Sequence, residues 1–330
     1  MSETISDWDE RLSRLRKEKH EIGLPLAEVR QIEAYLESKW GIAYLSHEDW
    51  EDRLWDLPDE LGDEFVEVMN SRADLIADRL PVPPQIEKKF YDLLSHPDIN
   101  GIMHSQKTVC ILGGLVWVTA VIQRLGLSGS LLDMGCHRGY QSQWYAEHLG
   151  LDVTGVDFSS RAIEAAKDIC ASNGSLEFLE WDISSPFPRQ QTFDIVVCSD
   201  ILGDSSEHFT SLLELASERL KDDGVFISIG NGAMVTNAQA LQREASKHDL
   251  RFGVCDVIGG FDGYTFGGKP VLLLTKRKGL EVPEDITRQF FTGWETTGFP
   301  DFANSTIPPS EKSLAYFRAY NIKKSGSERS

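Results

Sequence analysis

Cysteine is sparse in this chain of 330 residues, and what there is of it is scattered. Cys110, Cys136, Cys170, Cys198 and Cys255 form no C-x-x-C pair. That spacing argues against a disulfide framework and against a zinc site, and it fits a reducing, cytoplasmic setting. No metal is expected. Positive charge is also short: 33 Lys and Arg face 52 Asp and Glu, a formal net charge of −19. Such a surface repels nucleic acid phosphates and anionic lipid head groups, so neither nucleic acid nor membrane is an expected partner. Long apolar runs are missing as well. The longest, Val109 to Ile122, is broken by Gly113 and Gly114 and is short of the roughly 20 residues of a membrane span, so it reads as a buried helix. The opening MSETISDWDERL lacks the apolar stretch of a signal peptide. No internal repeat is visible.

What is present is an ordinary soluble composition, 41% hydrophobic and 26% charged. The densest acid, between Glu48 and Glu64, reads as a solvated face. Residues 1–105 read as a helical region: Val29, Ile32, Ala34, Tyr35 and Trp40 mark one amphipathic segment after an earlier one at 12–26. Leu61, Phe65, Val66, Val68 and Met69 begin another, stopped by the prolines at 81, 83 and 84. Ile86, Phe90, Leu93 and Leu94 begin a fourth. Residues 106–279 alternate short apolar strands with amphipathic helices. The strands are predicted at Ser130–Met134, Asp152–Asp157, Leu176–Trp181, Phe193–Ser199, Gly224–Ile229, Arg251–Val257 and Pro270–Thr275. This order implies a mostly parallel sheet covered on both faces. No helix separates the last two strands, so the final strand is predicted antiparallel. Residues 280–330 form an aromatic-bearing extension whose last residues are polar and predicted disordered.

Four strand ends carry the chemistry. Leu131 to Gly139 runs an apolar strand into a G-x-x-x-G turn and then into a helix. The glycines let backbone approach a ligand closely. The nicotinamide fingerprint G-x-G-x-x-G is absent, and the acid at Asp133 favours a ligand bearing positive charge, an ammonium or a sulfonium, over a pyrophosphate. Asp157, at the end of the second strand, can accept from two ribose hydroxyls. Phe158 offers a face to an adenine ring. Asp182 and Ile183 follow the third strand, where an acid and a backbone N–H can meet an adenine edge. Ser199 and Asp200 end the fourth, beside the first strand at the switch point of a doubly wound sheet.

D-M-G-C-H-R-G, G-V-D-F-S, E-W-D-I, F-D-I-V-V-C-S-D-I-L and L-K-D-D-G-V-F-I-S-I-G follow in this order over residues 110–279. This half of the chain resembles the class I methyltransferases that depend on S-adenosyl-L-methionine (SAM). The resemblance implies a Rossmann-like three-layer α/β sandwich with a seven-stranded sheet in the order 3-2-1-4-5-7-6, strand 7 antiparallel. It implies SAM as cofactor. Asp133, Gly135, Cys136 and Gly139 would line its methionine portion, Asp157 its ribose, Phe158, Asp182 and Ile183 its adenine, and Ser199 its amino or sulfonium end.

The acceptor is less legible. The D/N-P-P-Y/F motif of many amino-nitrogen methylators is replaced by S-D-I-L-G-D. By position His208 and Asp200 are base candidates. Phe261, Tyr264 and Phe266 could wall an acceptor pocket, with His104 and Tyr91 from the helical region near it. The favoured expectation is a small-molecule acceptor of the kind met in specialised metabolism. The alternatives are a protein or peptide acceptor, and a non-catalytic SAM-binding module. A homodimer is compatible with the sequence.

Overall fold

The computed structural model describes residues 26–40, 56–78, 80–105, 108–170, 174–201, 206–230, 238–258 and 269–280. The segment predicted at 12–26, apart from its last residue, and the extension from 281 onward lie outside them. The first part is helical: α1 (Leu26–Trp40), α2 (Asp59–Ala77), α3 (Pro84–Leu94), α4 (Pro97–Ser105) and α5 (Thr108–Arg124). Prolines at 83 and 84 start α3, where a missing N–H costs nothing. The apolar run at 109–122 is indeed a buried helix, with Leu115, Val116, Trp117 and Val118 fully buried in α5.

The second part alternates β1 (Ser130–Met134), α6 (Tyr140–Leu149), β2 (Asp152–Asp157), α7 (Ser160–Ile169), β3 (Leu176–Glu180), β4 (Phe193–Ser199), α8 (Ser206–Arg219), β5 (Leu220–Ile229), α9 (Ala238–Lys247), β6 (Arg251–Ile258) and β7 (Lys269–Thr275). The seven strands make one sheet in the order β3-β2-β1-β4-β5-β7-β6. All pairs among the first five strands are parallel, and β7 runs antiparallel to β5 and β6. The expected topology is therefore the observed one. The fifth strand begins at Leu220 rather than Gly224, because Phe193 of β4 pairs with Leu220 ahead of a register shift.

Alternation along the strands divides the core into two layers. Leu131, Ile195, Val197, Val225 and Ile227 face a cluster with α1, α5, α6 and α7. Their neighbours Leu132, Val196, Cys198 and Phe226 face α8 and α9. This is the period of two expected of strands buried on both faces. Ile32, Tyr35 and Leu36 of α1 belong to the first layer, and the Tyr35 hydroxyl donates to the Tyr140 carbonyl at 2.9 Å. The helical region thus shares the core of the sheet. A satellite cluster joins α2, α3 and α4 through Phe65, Val66, Phe90, Leu93 and Ile99.

Both ends of α6 rest on left-handed glycines, Gly139 (φ 78°) and Gly150 (φ 66°). A Cβ on Gly150 would meet open space, whereas one on Gly139 would meet the Phe178 ring and the Cys170 sulfur. Gly150→Ala is therefore expected to lose about 1–2 kcal/mol, the backbone share alone. Gly139→Ala is expected to lose about 1–3 kcal/mol more through overpacking. Urea denaturation of the pair checks the difference, and equal losses would contradict the packing at Gly139.

Candidate cofactor-binding site

The register assembles the site. Met134 pairs with Val156 on one side and Cys198 on the other, so the turn after β1 emerges between the ends of β2 and β4. The Gly135 and Cys136 amides both donate to the Val156 carbonyl, at 2.8 and 3.0 Å. Gly135 is left-handed (φ 71°), and the Ile201 side chain stands where its Cβ would be, so only glycine fits there.

His137 lies in the same turn and is also left-handed, φ 49°. Its backbone N–H donates to Asp157 Oδ2 at 2.9 Å. The other oxygen, Oδ1, accepts from the Ser159 amide at 2.9 Å. Each carboxylate oxygen keeps a second lone pair, which leaves capacity for two ribose hydroxyls. Burial pushes the Asp157 carboxyl up to about 6, against the pull of the two amides.

Asp133 is buried in β1 and accepts a 2.5 Å hydrogen bond from Ser142 Oγ of α6. Burial pushes it up to about 7. The Ser142 hydrogen bond opposes that shift, and the Asp157 charge adds to it. An acid poised this way is ionised more readily when a cation arrives beside it. Spare acceptors on Asp157, a buried acid and a cradle only glycine can line fit a sulfonium-bearing nucleoside.

Of the other expected residues, Phe158 is half-buried and meets the edge of the Tyr91 ring at 5.3 Å. Its carbonyl accepts from Lys88 Nζ at 2.8 Å. Ser159 caps α7 by accepting from the Ala162 amide, while its hydroxyl donates to Asp92 Oδ1 at 2.5 Å. One face of α3 (Lys88, Tyr91 and Asp92) therefore lies along the loop after β2. Ser199 Oγ donates to Gln141 Oε1 at 3.2 Å. The Cys136 thiol is buried and pushed well above its ordinary value, which makes it an inert packing group. Asp182 is exposed, and its Oδ1 accepts from both the amide and the hydroxyl of Ser184 at 2.8 Å. Half of that carboxylate thus shapes its own turn. Ile183 packs on the second core layer.

The structure brings Asp133, Gly135, Cys136, Gly139, Asp157, Phe158 and Ser199 around one strand edge. His104, on α4, joins them through ring contacts with His137 at 5.9 Å and Tyr140 at 6.1 Å. Asp200 is left-handed (φ 53°) and exposed, with its amide on the Ile229 carbonyl. The backbone of His208 is in α8; its side chain, and Phe261, Tyr264 and Phe266, lie outside the described residues. Sequence reasoning missed His137, Asn100, Lys88, Asp92 and Gln141. The i, i+3, i+4 spacing of Lys88, Tyr91 and Asp92 was the one available signal for the α3 face. Among the described residues no group of His, Cys, Asp and Glu could hold a metal ion, and no helix is long and apolar enough to cross a membrane.

Residues 131–224 match the model of a family described as a methyltransferase domain. A curated relative, the ribosomal RNA small subunit methyltransferase C of Alcanivorax borkumensis, is 35% identical over 112 residues. The match covers 32% of this chain and 34% of the relative, so the chain spans about a third of that protein's length. Among solved structures, a SAM-dependent methyltransferase from Clostridium acetobutylicum is 13% identical with a TM-score of 0.40, covering 49% of this chain and 90% of that one. The N-methyltransferase NodS of Bradyrhizobium japonicum is 14% identical with a TM-score of 0.41, covering 51% and 96%.

The raised carboxyls give a pH signature. The folded state holds protons on Asp133 and Asp157 that the unfolded chain releases near pH 4. Their contribution is therefore full below pH 4 and lost as pH rises toward 6 and 7. His137 works the other way. Burial holds it down to about 4, helped by the Arg138 charge and opposed by the Tyr91 carbonyl. Its contribution is present above pH 6.5 and lost as pH falls toward 4. Asp133→Asn removes one acid only. Without ligand, its melting temperature is expected to gain on the parent protein between pH 4.5 and pH 8. A difference that stays constant across that range would contradict the assignment.

Proposed function

We propose, from the premise that residues 131–224 are a class I, SAM-dependent methyltransferase domain, that the chain transfers the methyl group of SAM to a small-molecule acceptor. The observation that carries the reading is Asp157, a buried acid held by two backbone amides with an oxygen lone pair to spare on each side. Asp157 would hold the ribose hydroxyls. Phe158, Asp182 and Ile183 would meet the adenine, and Asp133, Gly135, Cys136, Gly139 and Ser199 the methionine portion. Bound, SAM supplies a methyl group on a sulfonium that reacts with nucleophiles without further activation.

The chain's own residues then have to orient and to exclude water. The α3 face supports this role, since Lys88 and Asp92 tie it to the loop that carries Phe158. Asp200 and His208 are the candidates for taking a proton from the acceptor, and Phe261, Tyr264 and Phe266 for walling it. The net charge of −19 supports an acceptor without phosphates. A second reading, an RNA acceptor, draws support from the Alcanivorax relative's name.

Isothermal titration calorimetry with SAM tests the donor. The parent protein should bind, and Asp157→Ala should bind about 10- to 100-fold more weakly, the size of a hydrogen bond to a charged group. A parent dissociation constant weaker than about 1 mM, the range of negligible binding energy, would overturn the proposal. Incubation with methyl-deuterated SAM and either a metabolite extract or total RNA separates the acceptors. Label in small molecules supports the first reading, and label in RNA supports the second.

A further inference from the structure

The face of α3 that meets the candidate site also holds a placed cation. Arg72, on α2, directs its Nε–H at both oxygens of Glu87 on α3, at 3.1 and 3.0 Å. Its guanidinium lies over the Phe90 ring at 4.8 Å. Carboxylate and ring together fix the plane of the guanidinium, and its two terminal nitrogens have no partner among the described residues. The neighbouring cations on α3 are engaged: Lys88 Nζ donates to the Phe158 carbonyl at 2.8 Å, and Lys89 Nζ pairs with Glu64 at 3.2 Å. Tyr91 stands one turn on from Glu87, on the same helix face. Its carbonyl accepts from the buried His137 ring, and its own ring meets Phe90 at 5.1 Å and Phe158 at 5.3 Å. Phe90, Tyr91 and Phe158 therefore form a line of rings from the guanidinium to the end of β2.

The Tyr91 hydroxyl locates this line on the sheet. Of the charges acting on it, Arg72 is the strongest, followed by Glu87, Asp157 and Asp200. Asp157 ends β2 and Asp200 follows β4, with β1 between those strands, so a group that feels both acids lies over the end of β1. Burial pushes the phenol up to about 12, and it stays protonated as a donor. An acceptor entering here meets two acids on the sheet side and a fixed cation on the α2 side. An anionic group is repelled by the first and matched by the second, because the terminal edge of a guanidinium presents two N–H groups in the geometry of a carboxylate. A phosphate dianion would keep an unmatched charge facing the acids. We propose that Arg72 is a specificity-determining residue that receives a carboxylate of the small-molecule acceptor. The acceptor is then a carboxylic acid whose methyl-accepting atom belongs to a different group, turned toward Tyr91 and Asp200. The proposal rests on the small-molecule reading above and deepens it by naming the substrate class.

Incubation of the full chain with methyl-deuterated SAM and a metabolite extract tests the proposal, with labelled products read by mass spectrometry. The parent should place label in compounds that keep a free carboxylate. Arg72→Gln should slow that labelling about 10- to 100-fold, the weight of a hydrogen bond to a charged group. Arg72→Lys, which keeps the charge and loses the fork, should fall between the two. Calorimetric titration with S-adenosylhomocysteine should give all three proteins the same dissociation constant within about twofold, which also shows that the variants fold. Label confined to compounds without a free carboxylate, or labelling undiminished in Arg72→Gln, overturns the proposal and leaves the small-molecule reading standing. So does an S-adenosylhomocysteine affinity about tenfold weaker in Arg72→Gln, which would put the donor's own carboxylate on Arg72. Label in RNA or protein alone, or no label at all, overturns the small-molecule reading and this proposal with it.

Discussion

The hydrogen bond from the His137 amide to the Asp157 carboxylate organises the candidate site. It joins the turn after β1 to the end of β2, at a residue whose backbone is left-handed. Without it the buried carboxylate would keep only the Ser159 amide, and the turn would lose its anchor on the neighbouring strand. Gly135 and Gly139 serve the same geometry. The first is pressed under Ile201, and the second is pressed against Phe178 and Cys170. These close approaches and the hydrogen bonds to β2 hold the turn in one geometry.

Electrostatics follow from that fixed turn. Two acids, Asp133 and Asp157, sit buried on adjacent strands with few counter-charges, and both titrate well above their ordinary range. A site of this kind is held at a cost in stability that a cation can relieve. The helical region contacts the same loops. Lys88, Tyr91 and Asp92 of α3 reach Phe158 and Ser159, and Asn100 and His104 of α4 reach His137. The region that looked like an addition in the sequence lies against the turn after β1 and the loop after β2.

The sheet was legible because each strand is a short apolar run between turn residues. The antiparallel β7 was legible from the absence of a helix before it. Asp133, Asp157 and the glycines were legible because their chemistry is tied to strand ends. His137 was not. In the pattern G-x-x-x-G it is a spacer, and neither its left-handed backbone nor its buried ring has a periodic signature. Asn100 was hidden for a related reason: its partner lies 37 residues away, so only the packing of α4 reveals the pair. Asp182 was placed correctly after β3, but its local bonds to Ser184 show a turn-forming share that spacing alone does not apportion. On the acceptor side, the His208 side chain and the 261–266 aromatics lie outside the described residues.

The central claim is that the turn after β1, flanked by the buried acids of β1 and β2, is where the donor binds. A crystal structure of the full chain grown with S-adenosylhomocysteine tests it most directly. The account predicts density for the ligand across the strand edge, with the ribose hydroxyls on the Asp157 carboxylate and the thioether beside Gly135. Ligand density elsewhere on the molecule, with Asp157 bonded only to its two backbone amides, would contradict it.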